Sequence, residues 1–258
     1  MQVEIKGIDE LFKKLDELEK IQFPLAFSRA LSKTGYDVKD ALYKEMQKVF
    51  DRPTPYALNS LYVKQARVND LTAFIYPKDE GGGTPAKKFL YSEIEGGDRH
   101  VKRFERALQS RGILPNGMYV TPGLGANLDA YGNISLGQIR QILSYFGSAE
   151  MNIGDKANMT DKKKAKLAKG TKSKQGFVYF VSYGKGTWSG RQHLPPGIYK
   201  RIGFSWGSAI KPIFLFVKKP SYKSIFKFFE VGQKAAGETF AKNFREAMDE
   251  AIRTARLK

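Results

Sequence analysis

Apolar residues recur at three- and four-residue spacing near the start of the chain. After the alternating Val3 and Ile5, Ile8, Leu11, Phe12, Leu15 and Leu18 put one apolar stripe on a short helix whose other face is charged. A second helix is predicted from Pro24, which a first helical turn tolerates, through Phe27, Ala30, Leu31, Thr34, Val38, Leu42, Met46 and Val49 to Phe50. Asp51-Arg52-Pro53-Thr54-Pro55 stops it, because prolines remove helical hydrogen bonds and push the preceding residues toward extended geometry. Two β-rich runs, Ser60 to Ala66 and Thr72 to Tyr76, joined by Arg67-Val68-Asn69-Asp70, read as an antiparallel hairpin. Residues 1–80 are thus expected to form an ααββ part of the core.

The pattern then loosens. Asp79 to Pro85 holds three consecutive glycines and reads as a flexible joint and a boundary. Residues 81–176 read as a loop-rich basic insertion with short helices. One helix is expected from Asp98, as N-terminal cap, to Arg111, closed by Gly112, and another from Leu136 to Phe146. Leu114 to Gly117 and Pro122 to Gly125 read as loop. Residues 154–176 contain eight Lys, two Asp and few large aliphatic side chains, too little apolar surface to offset the entropy of ordering, and are expected to be a mobile loop.

Residues 177–258 are expected to complete the core. Three β-like runs, Phe177 to Tyr183, Ile198 to Trp206 and Ile213 to Lys218, are expected to extend the sheet begun by the N-terminal hairpin. A long helix follows from about Ser224, with Phe240, Phe244, Ala247, Ala251 and Ala255 as a narrow stripe whose small residues favour close packing of another helix. Gly232 and Gly237 predict a bend, since each weakens a helix by about 1 kcal/mol relative to Ala. The fold class is α+β, an antiparallel sheet packed against long N- and C-terminal helices, with an inserted basic loop-rich region.

Charge sharpens this division. The chain of 258 residues carries a net charge of +18, yet residues 1–80 hold 13 Lys and Arg against 13 Asp and Glu, and residues 230–258 hold 6 against 5. Residues 81–229 hold 25 against 8. Neutral ends around a cationic centre suggest a frame that presents one basic surface to a polyanion, most simply nucleic acid. The absence of Cys excludes disulfides, thiolate metal sites and Cys nucleophiles, and two His exclude a multi-His metal site within one subunit. No apolar run approaches the roughly 20 residues that span a bilayer, and the charged start lacks the apolar core of a signal peptide, so synthesis in the cytoplasm and no membrane partner are expected.

The segments IKGIDELFKKLDEL and FSRALSKTGYDVKDALYKEMQKVFDRPTPYALNSLYVKQA resemble the minor tail protein Z family of tailed bacteriophages. The end, FAKNFREAMDEAIRTAR, is similar to the closing helix of that family, and SEIEGGDRHVKRFERALQSRGILPNG is similar to segments of phage virion proteins. The resemblance implies a structural virion protein at the neck: a tail-completion or head-to-tail connector subunit that forms a homo-oligomeric ring and meets other tail or connector proteins. It also implies a protein without catalytic residues, and no cofactor or metal is expected.

Within the basic centre, Lys162, Lys163, Lys164, Lys166, Lys169, Lys172 and Lys174 are the candidate contacts to double-stranded DNA in a channel, or to an acidic partner. The other reading of this cluster is a solvated loop without a fixed partner, although in a ring weak contacts would multiply around the channel. Tyr179, Tyr183, Trp188, Tyr199 and Trp206, interleaved with Lys185, Arg191, Lys200 and Arg201, suit base stacking, but packing on strands is the commoner reason for such a pattern. Glu93, Glu95, Asp98 and His100 are a weak signal for a divalent metal and phosphodiester cleavage, set against a salt-bridged surface. Neither glycine-rich run carries a Gly-Lys-Ser/Thr ending, no G-x-S-x-G elbow is present, and His193 reads as a turn residue. The alternatives to a virion protein are a cytosolic, sequence-independent DNA-binding protein and a metal-dependent nuclease.

Overall fold

The computed structural model describes residues 22–79, 85–149, 158–184 and 193–254. The first expected helix, Ile8 to Leu18, lies outside the described residues. The chain divides into two compact units, one of residues 1–96 with 223–258 and one of residues 97–222. The fold is α+β, with antiparallel sheets and long N- and C-terminal helices.

The first unit contains α1 (Phe23–Val49), α2 (Pro55–Leu58), β1 (Leu61–Lys64), β2 (Phe74–Pro77), α3 (Lys87–Ile94) and the last helix, α7 (Phe228–Thr254). α1 ends where the prolines require. Phe50 turns extended while its N–H still bonds Met46 O at 3.1 Å, and Thr54 caps α2 by accepting from Ala57 N at 3.1 Å, with Pro55 at the first helical position. In the hairpin, Leu61 pairs with Pro77 and Lys64 with Phe74, so the two-residue period of the strand turns Leu61 and Val63 inward and leaves Tyr62 and Lys64 outside. Val38, Leu42 and Met46 of α1 meet Leu61, Leu90 and Phe226 in one core.

α1 and α7 run antiparallel, as their pairings show. Ala26 and Ala30 meet Ala247 and Ala251 in a buried small-residue seam, which is the close packing the alanine stripe predicts. Phe27 and Phe244 flank it edge to face at 5.2 Å. Asn243, 2% exposed, fixes the register by donating to Thr34 Oγ1 at 3.0 Å and Asp37 Oδ2 at 2.6 Å. Arg29–Glu250 and Lys33–Glu246 ion pairs lie outside the seam. α7 begins at Phe228 rather than near Ser224, because the Ile225 and Phe226 N–H groups bond Glu93 O at 3.0 and 2.9 Å and leave residues 224–227 nonhelical. It continues through Gly232 and Gly237 as one helix.

The second unit contains β3 (Gly97–Asp98), α4 (Arg103–Ser110), β4 (Met118–Pro122), α5 (Leu136–Tyr145), α6 (Asp161–Lys169), β5 (Gly170–Thr171), β6 (Lys174–Gln175), β7 (Phe177–Ser182), β8 (Gly197–Phe204), β9 (Gly207–Lys218) and β10 (Ser221–Tyr222). Its main sheet is antiparallel in the order β4-β9-β8-β7. Three expectations are corrected here. The strands after residue 177 do not join the N-terminal hairpin, which is a separate two-stranded sheet; they pair with each other and with β4, which joins the two runs read as loop. The compact units divide after Gly96 and Tyr222 rather than near residues 80 and 176. The helix expected from Asp98 starts at Arg103, and Asp98 instead pairs with Ser221 across β3 and β10 and bridges Lys219 Nζ at 2.5 Å.

Glu105 explains that helix start and ties it to the sheet. Its fully buried carboxylate accepts from the Arg99 guanidinium at 2.5 and 2.8 Å, from Lys102 N at 2.7 Å and from Val120 N at 2.7 Å. Burial opposes its ionisation, but the Arg99 guanidinium and the two backbone N–H groups outweigh that cost and hold the carboxyl below the ordinary range. Leu108 of α4 and Ile142 of α5 pack with Val120, Tyr179, Ile198 and Phe214 in the core beneath.

Candidate functional site

Residues 161–175, expected to be a mobile loop, form an ordered helix and hairpin. Thr160 caps α6 by accepting from Lys163 N, Asp161 sits in the first turn and Lys166 and Lys169 in the last, all matched to the helix dipole. Ala and Lys are good helix formers, and packing of this short helix against β7, with Leu167 beside Phe177 and Tyr179, adds what propensity alone does not supply. Gly170 ends it in the left-handed region at φ 73°, β5 and β6 close a hairpin, and Gly176 lies so tightly against α6 that a Cβ there would meet Ala168 O at 1.9 Å. Just upstream of the helix, Met159 N bonds Ser144 O at 2.8 Å at the end of α5.

This arrangement sorts the seven candidate lysines. Lys163 and Lys166 of α6 and Lys174 of β6 line a groove of about 690 Å³ with Lys200 of β8. Lys164 turns away to Asp161 Oδ1 at 3.7 Å and lies 5.4 Å from the Tyr145 ring centroid. Lys162, Lys169 and Lys172 are exposed and do not line the groove. The floor is aromatic, with Phe177 and Tyr179 on β7. Tyr179 donates to Gln141 Oε1 at 2.9 Å, and burial pushes its hydroxyl up to about 12. A second hollow of about 650 Å³ adjoins, sharing Asn127, Gln138, Gln141 and Met159 with the first. Among the described residues, no Asp or Glu lines either hollow.

Lys200 is the cation that the cluster reading missed. Its Nζ lies 3.9 Å from the Phe177 ring centroid, and it faces Lys211 across the β8–β9 pair. Burial first, and Lys211 second, lower its ammonium below the ordinary lysine range. Like charges directly opposite on a sheet destabilise it unless an anion is shared between them. The sequence marks Lys200 only as one of the cations interleaved with the strand aromatics; the pairing of β8 with β7 and β9 brings it to α6.

The remaining candidates divide by burial. Tyr179 and Tyr199 are strand-packed, Tyr199 donating to Pro195 O at 2.8 Å, and Tyr183 donates to Gly112 O at 3.1 Å. Trp206 is 85% exposed at the β8–β9 turn and stacks on Phe204 at 5.4 Å and 17°. Arg201 lies over the Phe180 ring. Lys185, Trp188 and Arg191 are outside the described residues. Among the described residues no three His, Asp or Glu gather as a metal site, and no helix is long and apolar enough to cross a membrane. Of the four acid-cluster residues, Asp98 is held by Lys219 and burial raises the Glu93 carboxyl above its ordinary value. No family model, curated protein or solved structure matches the chain.

Proposed function

We propose that this chain is a structural protein of a tailed-bacteriophage particle, a ring subunit for tail completion or head-to-tail connection at the neck. In this reading the unit built on α1 and α7 is the assembly frame, and the unit of residues 97–222 meets DNA in the channel or an acidic neighbouring ring. The observation that carries it is the charge division. Residues 97–222 hold 21 Lys and Arg against six Asp and Glu, a net of +15, while the rest of the chain holds 23 against 20. A basic body on a near-neutral frame suits repeated presentation of positive charge to a polyanion. The resemblance of the two helical ends to minor tail protein Z supports the placement.

Electron microscopy of intact particles carrying a tagged copy tests it. The tag is expected as a ring at the neck; a particle without the protein, or with it elsewhere, overturns the placement. The lysine groove within one subunit favours a second reading, a sequence-independent nucleic-acid-binding protein that works outside particles. That reading expects monomeric protein to bind duplex DNA with a steep salt dependence, and little change in binding between about 50 and 200 mM salt counts against it.

A further inference from the structure

The lysine groove does not end at α5. Its neighbouring hollow shares Ala149 with a third, of about 460 Å³, lined by Arg103, Arg106 and Arg111 on and just after α4. Arg106 and Arg111 have no carboxylate partner among the described residues, and no acid lines this hollow either. Ser148, 5% exposed, stands in the same wall with a hydroxyl that has no hydrogen-bond partner among the described residues. Three adjoining hollows thus form one track, with arginines at one end and Lys163, Lys166, Lys174 and Lys200 at the other.

Strand geometry places an aromatic tip beyond the lysine end. Lys200, Ile202 and Phe204 alternate onto the same face of β8, and Phe204 lies four residues, about 13 Å, past Lys200. Trp206 stacks on Phe204 there with most of its surface open. We propose that this track binds a single-stranded nucleic acid. Its phosphates would lie on the arginine and lysine ends and an unstacked base on Trp206. A duplex offers its phosphates to such a surface but keeps its bases inside, so it has no use for the aromatic tip or for the side-chain amides of the middle hollow. An acidic peptide would likewise use the cations and leave Trp206 idle. The inference goes beyond the neck placement and stands apart from it, because binding is a property of the free subunit and placement is judged in the particle.

The test is fluorescence anisotropy of the full chain with labelled oligo(dT) of about 12 nucleotides, alongside oligo(U), a duplex of equal length and polyglutamate. Oligo(dT) or oligo(U) is expected to bind more tightly than duplex or polyglutamate, and the stronger of the two identifies DNA or RNA. Charge reversal at Arg106 and Arg111, or at Lys163 and Lys166, is expected to weaken binding at least tenfold. Each neutralised cation is expected to flatten the log–log salt slope by about 0.7. Trp206→Ala is expected to cost about tenfold and Trp206→Phe to restore most of it. All of these side chains are exposed, and an unchanged near-ultraviolet circular dichroism spectrum verifies folding. Equal competition by duplex or polyglutamate, or affinity indifferent to both charge reversals and to Trp206→Ala, overturns the proposal.

Discussion

The two units use their carboxylates in opposite ways. In the helical unit, Asp37, Glu246 and Glu250 join α1 to α7 around an alanine seam, and acids and bases nearly balance. In residues 97–222 three of the six acids serve the local fold: Glu105 is buried beneath β4, Asp98 is held by Lys219, and Asp161 sits in the first turn of α6. The groove is left with cations alone. Such a body repels itself and gains from any bound anion, whereas the helical unit has no comparable need. Excess charge is therefore tolerated where the buried carboxylate Glu105 is fully paired, and four of the lysines that carry it line one groove.

Removing Glu105 is the strongest way to break that arrangement. Glu105→Ala leaves the Arg99 guanidinium and the Lys102 and Val120 N–H groups without their acceptor, and a loss of about 3–5 kcal/mol is expected. Hydrogen exchange should show this within residues 97–222 and leave the α1–α7 amides protected; equal loss in both would contradict the separation. The pH dependence follows from the same residue. Its folded value lies below the unfolded one, so its contribution is full above about pH 4.5. That contribution falls as protonation begins and is gone once the pH passes below the folded value. Acid titration of wild type should therefore reach residues 97–222 through this group, and the variant should lack that component.

The helical unit has its own weak point. Ala247→Leu forces a branched side chain into the seam with Ala26 and Ala30, at an expected cost of about 1–3 kcal/mol. Protection should fall in α1 and α7 while oligonucleotide binding is unchanged. Gly176→Ala is a more local break, because its Cβ would collide with Ala168 O. A loss of about 1–3 kcal/mol confined to α6 and its hairpin is expected, with weaker binding in the groove and no change in α4. A Gly176→Ala protein with full protection of residues 161–175 would show that the hairpin is not what orders the lysines.

Legibility followed the same division. α1, the β1–β2 hairpin and the alanine stripe of α7 were readable because each rests on local periodicity and on proline breaks. β4 was not, since Met118 to Pro122 is short and flanked by Pro and Gly, and it becomes a strand only by pairing with β9. The composition of α6 predicts a loop because its side chains bury little, whereas Thr160, Asp161 and Gly170 bound it as a helix and β7 packs against it. Three of the seven named lysines line the groove. Lys200 and the arginines of α4 lie far from them in sequence, and only the sheet and the helices on its face bring them together.

The smallest effect expected is at the Lys33–Glu246 pair. The two groups shift each other's titration in the sense of a real attraction: hydrogen bonding to Glu246 raises the lysine, and hydrogen bonding to Lys33 lowers the glutamate. Both side chains are nonetheless about half exposed, so solvent screens the attraction and the ordering of two long side chains opposes it. Glu246→Gln is expected to leave thermal unfolding of the helical unit unchanged within error, at low and high salt alike. Asn243→Ala sharpens the point on the same helix, because it strips a buried partner from Thr34 and Asp37 and is expected to lower the melting temperature where Glu246→Gln does not. If the two variants behaved alike, the register of α1 on α7 would have to come from the exposed charges, and the near-neutral balance of this unit would be a stabilising feature rather than a background to the alanine seam.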